Sequence, residues 1–165
     1  MYKLIIATGL NGEIGCDNKL LCHIKEDLAY FQAQTLHKAV VMGRKTHDSI
    51  KAITKCKRGL PNRFNYVLSH KGRGMQDDNY VIINDCNVMD EMAAHADVWV
   101  CGGKNVYEQF NGKVEEVHHT KINREFPEAD CHFDMKWVED NTKWHLFEIK
   151  RLTDDVQVLV YRKIK

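Results

Sequence analysis

Two rhythms of apolar positions run along the chain. Lys3–Thr8 (KLIIAT), Ala39–Gly43 (AVVMG), Tyr66–Ser69, Tyr80–Asn84 and Val98–Cys101 are short apolar runs rich in β-branched residues, and they predict buried strands. Between the first two, Ile24, Leu28, Phe31 and Thr35 recur at helical spacing and predict a helix over Lys25–Thr35. Further helices are predicted at Arg44–Ile50, at Val88–Ala96, and after Gly102-Gly103 through Phe110. The pattern then changes to three longer strand candidates, Glu116–Asn123, Trp144–Leu152 and Val156–Lys163, the last two joined by a polar turn at Thr153-Asp154-Asp155. Gly9–His23 reads as a long glycine-punctuated loop, and loops of that length are often functional.

Strands alternating with helices imply an α/β protein with a mainly parallel central sheet and helices on both faces. The final strand pair implies an antiparallel edge on that sheet. With 165 residues, no internal repeat and no linker, the chain is expected to be one domain spanning residues 1–165. No apolar run approaches the ~18 residues of a membrane span. The opening MYKLIIATGLNG lacks the h-region and cleavage site of a signal peptide, so it reads as a strand. Six scattered cysteines without a CxxC pair favour reduced thiols and a cytoplasmic protein. A zinc site built from Cys131, His132, His118 and His119 matches no common ligand spacing, and no metal is expected.

The net charge of +1 conceals an asymmetry. Between Arg44 and Arg73 nine basic residues face one acid, Asp48, leaving that stretch at +8 and the rest of the chain at −7. Such a block points to an anionic partner, although a solvated basic face would give the same count. Only two aromatics, Phe64 and Tyr66, interrupt it, and no nucleic-acid-binding motif accompanies it. A small polyanion fits at least as well as nucleic acid.

Three places carry chemistry. Asp27 shares the apolar stripe of the Lys25–Thr35 helix, three residues after Ile24 and four before Phe31. There it is either a first-turn acid favoured by the helix dipole, or a cleft carboxylate able to grip an amidine-like heterocycle through paired hydrogen bonds. Periodicity leaves both readings open. The other two places are strand-to-glycine-to-helix junctions, AVVMG-RKT at Gly43 and VWVCGG-KNVYEQF at Gly102-Gly103. Helix starts offer free N–H groups, and glycine lets a phosphate approach closely. Neither junction is a Walker A loop, and GLNGEIG is not the usual dinucleotide fingerprint.

Taken in order, Ile14-Gly15-Cys16-Asp17-Asn18-Lys19-Leu20, Asp27, Phe31, Val41-Met42-Gly43-Arg44-Lys45-Thr46 and Ser49-Ile50 closely resemble the dihydrofolate reductase family. The likeness continues through Leu60-Pro61-Asn62-Arg63, Asn65-Tyr66-Val67-Leu68-Ser69 and Gly102-Gly103-Lys104-Asn105-Val106-Tyr107, and ends around Thr120, Asp130 and Phe133. It covers about four fifths of the chain.

The resemblance implies NADPH-dependent reduction of 7,8-dihydrofolate to tetrahydrofolate, supporting one-carbon and thymidylate metabolism. By that likeness Asp27 is the single active-site carboxylate, on the pterin 2-amino group and N3, with Thr120 supporting it. Ile5 and Ala7, and Cys101 on the later strand, meet the pterin through their backbone. Leu28, Phe31, Ile50 and Leu60 form the apolar wall, and Arg63 forks onto the substrate's glutamate carboxylate. Cofactor contacts fall to Ala7, Ile14, Gly15, Asn18, Lys19 and Leu20; to Gly43, Arg44, Lys45 and Thr46; and to Gly102, Gly103, Lys104, Asn105, Val106 and Tyr107. Leu68, Ser69 and His70 lie near the 2′-phosphate that distinguishes NADPH. The Gly9–His23 loop would close over the site. Family members of this size are commonly monomers, so a monomer without nucleic-acid or membrane partners is expected.

Several positions depart from the family pattern. Leu21-Cys22 stands where Pro-Trp is usual, Asn105 where arginine is common, Asp134 where proline is frequent, and Ala52–Gly59 reads as a lengthened loop. The Cys22 change is the best support for an alternative, a degenerate non-catalytic relative that binds folate or anions as an interaction component.

Overall fold

The computed structural model describes residues 1–76 and 79–165. Its strands are β1 (Tyr2–Thr8), β2 (Glu13–Gly15), β3 (Ala39–Gly43), β4 (Phe64–Leu68), β5 (Gly74–Met75), β6 (Val81–Ile83), β7 (Val98–Val100), β8 (Val114–Ile122), β9 (Cys131–His132), β10 (Trp144–Arg151) and β11 (Val156–Lys163). The helices are α1 (Lys25–Thr35), α2 (Arg44–Thr54), α3 (Asp90–His95) and α4 (Lys104–Phe110). Nine strands form one sheet in the order β10-β11-β8-β1-β7-β3-β4-β6-β5, and β2 pairs with β9 in a separate ribbon. The five pairs from β8 through β1, β7, β3 and β4 to β6 are parallel. Both edges are antiparallel, β11 and β10 on one side and β5 on the other.

Strand alternation sends neighbouring residues of β1 into different cores. Leu4 and Ile6 pack with Ala93 of α3 and with Val106 and Phe110 of α4. Ile5 points to the other face, against Tyr30 of α1, Val40 and Met42 of β3, and Leu60. The parallel strands end together on one side of the sheet. There the Gly43 N–H donates to Gly102 O at 2.8 Å and the Cys101 N–H to Val41 O at 2.9 Å. In open parallel sheets this carboxyl end is where ligands bind.

Three expectations change. The helix after Gly43 runs to Thr54 rather than Ile50, because nothing breaks it until Lys55 takes a left-handed φ of 56°. Three of the eight residues of the supposed Ala52–Gly59 loop are therefore helix end. The Val88–Ala96 helix is a 3-10 turn over Cys86–Met89 followed by the shorter α3. The Gly9–His23 segment is not all loop, since Glu13 and Gly15 pair with His132 and Cys131. Glu13 fixes that fold: its carboxylate accepts hydrogen bonds from the backbone of Asn11 at 2.7 Å and of Phe126 at 3.1 Å. Burial pushes this carboxyl up, but the hydrogen bonds win and hold it below its ordinary range. Among the described residues no helix is long and apolar enough to cross a membrane.

Candidate active site

Asp27 sits in the first turn of α1, half-buried, where the helix crosses the carboxyl end of the sheet. The Thr120 hydroxyl, from β8, donates to Asp27 Oδ1 at 2.6 Å. Burial pushes the carboxyl up, and the Thr120 hydrogen bond restrains the shift without cancelling it. A carboxylate so placed keeps one oxygen for a ligand's N–H donors. Ala7, Ile14, Leu20, Leu21, Cys22, Ile24, Leu28 and Ile122 join it around an open cleft.

Five of the expected residues therefore meet in this cleft: Ala7, Ile14, Leu20, Asp27 and Leu28. Leu28 is exposed on the rim, not buried in the helix stripe with Ile24 and Thr35. Ile5, Phe31, Ile50, Leu60 and Cys101 pack together in the adjoining core, which forms the floor. Burial raises the Cys101 thiol to about 12, so it remains a neutral neighbour. The Ile5 carbonyl already accepts the Tyr107 hydroxyl at 2.9 Å, which leaves one lone pair for another donor.

Arg63 is buried beside this floor. Its Nε and Nη2 donate to Thr35 Oγ1, both at 3.2 Å, and its Nη1 donates to Pro61 O at 2.6 Å. None of the ion pairs among the described residues includes it. A buried guanidinium held only by neutral oxygens has two N–H groups left for an anion. Burial lowers its pKa, yet at physiological pH it stays charged.

The two glycine junctions lie side by side. A Cβ on Gly43 would stand 3.3 Å from Val106 Cγ2, and one on Gly103 would stand 3.4 Å from Thr46 Oγ1. The α2 start has no side-chain cap, so its first N–H groups remain open, and Arg44 and Lys45 beside it are exposed. Lys104 and Asn105 are exposed as well, with Asn105 Oδ1 accepting from Gln109 at 2.8 Å. Val106, Tyr107 and Leu68 are different: their side chains are buried in the core, and only their backbone can face a ligand. The Ser69 hydroxyl is used in its own turn, donating to Lys71 O and accepting from Lys71 N, each at 3.1 Å, while His70 is exposed.

The loop bearing Asn18, Lys19 and Leu20 is tied to the segment before β9. Asp130 Oδ2 accepts from Asp17 N at 3.0 Å, Gly15 O accepts from Asp130 N at 3.1 Å, and the Cys16 thiol donates to Glu128 O at 3.0 Å. These bonds hold Leu20, Leu21 and Cys22 against the cleft. Burial, partly offset by Arg124, pushes the Cys22 thiol up. The set of Cys131, His132, His118 and His119 does not converge. As neighbours on β8, His118 and His119 point to opposite faces, His118 to Tyr30 and His119 to Thr8. Ile24 and Ile122 were not anticipated as cleft residues, although the Ile24 position at the head of the helical stripe placed it one turn before Leu28.

The family model for "Dihydrofolate reductase" matches residues 1–163. The chain is 35% identical over 144 residues to the dihydrofolate reductase of Haemophilus influenzae, covering 84% of this chain and 82% of that one. It is 33% identical over 155 residues to that of Bacillus subtilis, covering 94% and 86%. The solved structure of dihydrofolate reductase from Enterococcus faecalis, complexed with NADP(H) and RAB-propyl, superimposes with a TM-score of 0.83 at 22% identity, over 100% of this chain and 97% of that one. A half-buried carboxylate under a hydroxyl, an unpaired buried guanidinium and paired glycine junctions thus occupy a chain that belongs, over nearly its whole length, to the dihydrofolate reductase family.

Proposed function

We propose that this protein catalyses the NADPH-dependent reduction of 7,8-dihydrofolate to 5,6,7,8-tetrahydrofolate. The observation that carries the reading is Asp27, half-buried in the cleft with the Thr120 hydroxyl 2.6 Å from one oxygen and the other available. Asp27 takes the pterin 2-amino group and N3 as paired charge-assisted donors, and so fixes the ring's orientation. Ile5, Phe31, Ile50 and Leu60 supply the apolar wall, and Arg63 takes the glutamate carboxylate. The two fixed charges define the length and polarity of the substrate.

The open α2 N-terminus, exposed Arg44 and Lys45, and the Gly43–Gly103 cradle that Cβ atoms would fill all suit a phosphate-bearing dinucleotide. Thr46 and the backbone of Gly102–Tyr107 complete that surface, with Ser69 and His70 beside it. When bound, the reduced nicotinamide supplies the hydride delivered to C6 of the pterin. Asp27 polarises the pterin so that N5 gains its proton from water, and Leu20, Leu21 and Cys22 restrict bulk solvent above the ring. The intact Asp27–Thr120 pair favours catalysis over the non-catalytic binding reading. Six scattered thiols without disulfides fit a reducing, cytoplasmic setting, and the protein is read as a monomer without nucleic-acid partners. The test is loss of NADPH absorbance on adding dihydrofolate to the purified protein. No loss at saturating concentrations of both would reject the reading.

A further inference from the structure

Helix α1 carries Asp27, and along its length Tyr30 and Thr35 are buried while Phe31 packs half-buried against the floor. Tyr30 lies three residues beyond Asp27, on the same side of the helix. Opposite them, β8 alternates Glu116, His118 and Thr120 on one face, and all three are buried. Two cross-links therefore join the same helix side to the same strand face. One is Thr120 to Asp27. The other is Tyr30 Oη to His118 Nδ1 at 2.6 Å.

The second link is anchored. His118 Nε2 is 2.8 Å from Glu116 Oε1, and Glu116 is held by Lys3 of β1 at 3.1 Å and by Arg162 of β11 at 2.9 Å. Those residues are Glu116's register partners on the two neighbouring strands. Glu116, lowered to about 2 first of all by its bond to His118, stays an acceptor, so Nε2 carries the proton. With the proton on Nε2, Nδ1 accepts from the Tyr30 hydroxyl, which burial raises to about 12 and so keeps protonated. Every polar atom of the chain has one consistent role. Trp99 packs edge-on to His118 at 4.9 Å, and Lys150 Nζ lies 5.5 Å from the Tyr30 ring centroid.

We propose that Tyr30 and His118 are positioning residues for Asp27: their hydrogen bond, anchored through Glu116 to the sheet, sets the seat of α1 and with it the contact between Asp27 and Thr120. This deepens the reading of Asp27 as the substrate-binding carboxylate and rests on it. Displacing the carboxylate by about 1 Å can cost on the order of 10²-fold in rate. Loss of the Thr120 bond also removes what restrains the upward shift of the Asp27 carboxyl. Beside the Thr120 hydroxyl on β8, the ionisable Cys22 of the loop, Tyr30 of α1 and Tyr107 of α4 face Asp27 closely enough to couple to it.

The test compares Tyr30→Phe, His118→Leu and His118→Gln, the last keeping one acceptor and one N–H donor. Two readouts are taken: the Asp27 carboxyl titration by carbon-13 NMR on the free protein, and kcat with KM for dihydrofolate and NADPH. Tyr30→Phe and His118→Leu are expected to raise the Asp27 titration midpoint and to lower kcat about tenfold, within the range a misplaced group costs. KM for NADPH stays unchanged, and His118→Gln restores both readouts. Reduced thermal stability with an unmoved Asp27 titration would overturn the proposal, as would His118→Gln behaving like His118→Leu. If the wild-type protein fails to oxidise NADPH, the proposed activity falls, while the Asp27 titration still decides the positioning role.

Discussion

Asn65 and Leu60 grip each other through a closed pair of hydrogen bonds: Leu60 N donates to Asn65 Oδ1 at 3.0 Å, and Asn65 Nδ2 donates to Leu60 O at 2.9 Å. The same amide nitrogen reaches Arg63 O at 3.3 Å. One buried side chain on β4 thus shapes the segment that delivers both the apolar Leu60 and the guanidinium of Arg63 to the floor of the cleft.

Replacing Asn65 with Ala would orphan the Leu60 N–H and carbonyl in a buried setting, at about 1–3 kcal/mol for each group left unpaired. For a chain of this size the two groups together correspond to a melting temperature lower by roughly 4–24 °C. KM for dihydrofolate should rise several-fold while KM for NADPH holds, because the segment serves the substrate end of the site. Equal changes in both constants would show that the amide acts on general stability alone.

Asp27→Asn keeps the size of the side chain and removes its charge. The paired charge-assisted contact to the pterin is lost, and turnover at pH 7 should fall by at least about 10²-fold, the scale of a lost acid–base group. Cofactor affinity, measured by fluorescence titration, should stay within about twofold, since the α2 start and the glycine junctions are untouched. Unchanged turnover would remove the carboxylate from the chemistry.

Cys22 stands beside Asp27 in the wall of the cleft, where a thiol is small and a poor hydrogen-bonding group. Cys22→Trp restores a flat apolar surface next to the ring. A stacked aromatic contact is worth about 0.5–1.5 kcal/mol, so KM for dihydrofolate should drop between about 2- and 10-fold. Steady-state kinetics at fixed NADPH reads this directly, and an unaltered KM would mean that the ring does not reach position 22.

Elements with clear punctuation were legible in the sequence. Lys25–Thr35, Ala39–Gly43 and Val156–Lys163 match α1, β3 and β11 residue for residue, because each is bounded by a turn, a glycine or a sharp change in polarity. The end of α2 was not legible, since Lys51, Ala52, Ile53 and Thr54 face largely outward and carry no periodic signal. Strands of two or three residues, such as β2, β5 and β9, are too short for alternation to register. At the site, Asp27, Arg63, Gly43 and Gly103 were singled out by residue type and position. Their supports were not: Asn65 to Leu60, Tyr30 to His118 and Glu13 to Phe126 are pairings made by tertiary folding, and a linear pattern does not encode them. Val106 and Tyr107 are read as cofactor contacts, and their buried side chains leave any such contact to the backbone.

His119 ties stability to pH. It is buried on β8 with Nε2 2.8 Å from Thr8 Oγ1, and burial, aided by Lys121, lowers its pKa to about 3. The unfolded chain, with an ordinary histidine near 6.5, binds a proton that the folded chain refuses. This contribution is therefore complete above pH 6.5 and is lost progressively as pH falls toward 3, by up to ~1.4 kcal/mol per pH unit. His47, also lowered by burial, acts with the same sign. Glu116, lowered to about 2 from 4.5, enters only below about pH 5. Between pH 6.5 and 5 both histidines therefore pull stability down as pH falls. Urea unfolding at pH 7, 6 and 5 should show stability declining in the wild type, and His119→Gln should remove about one proton's share of that decline. A variant with the wild-type slope would place the titration elsewhere.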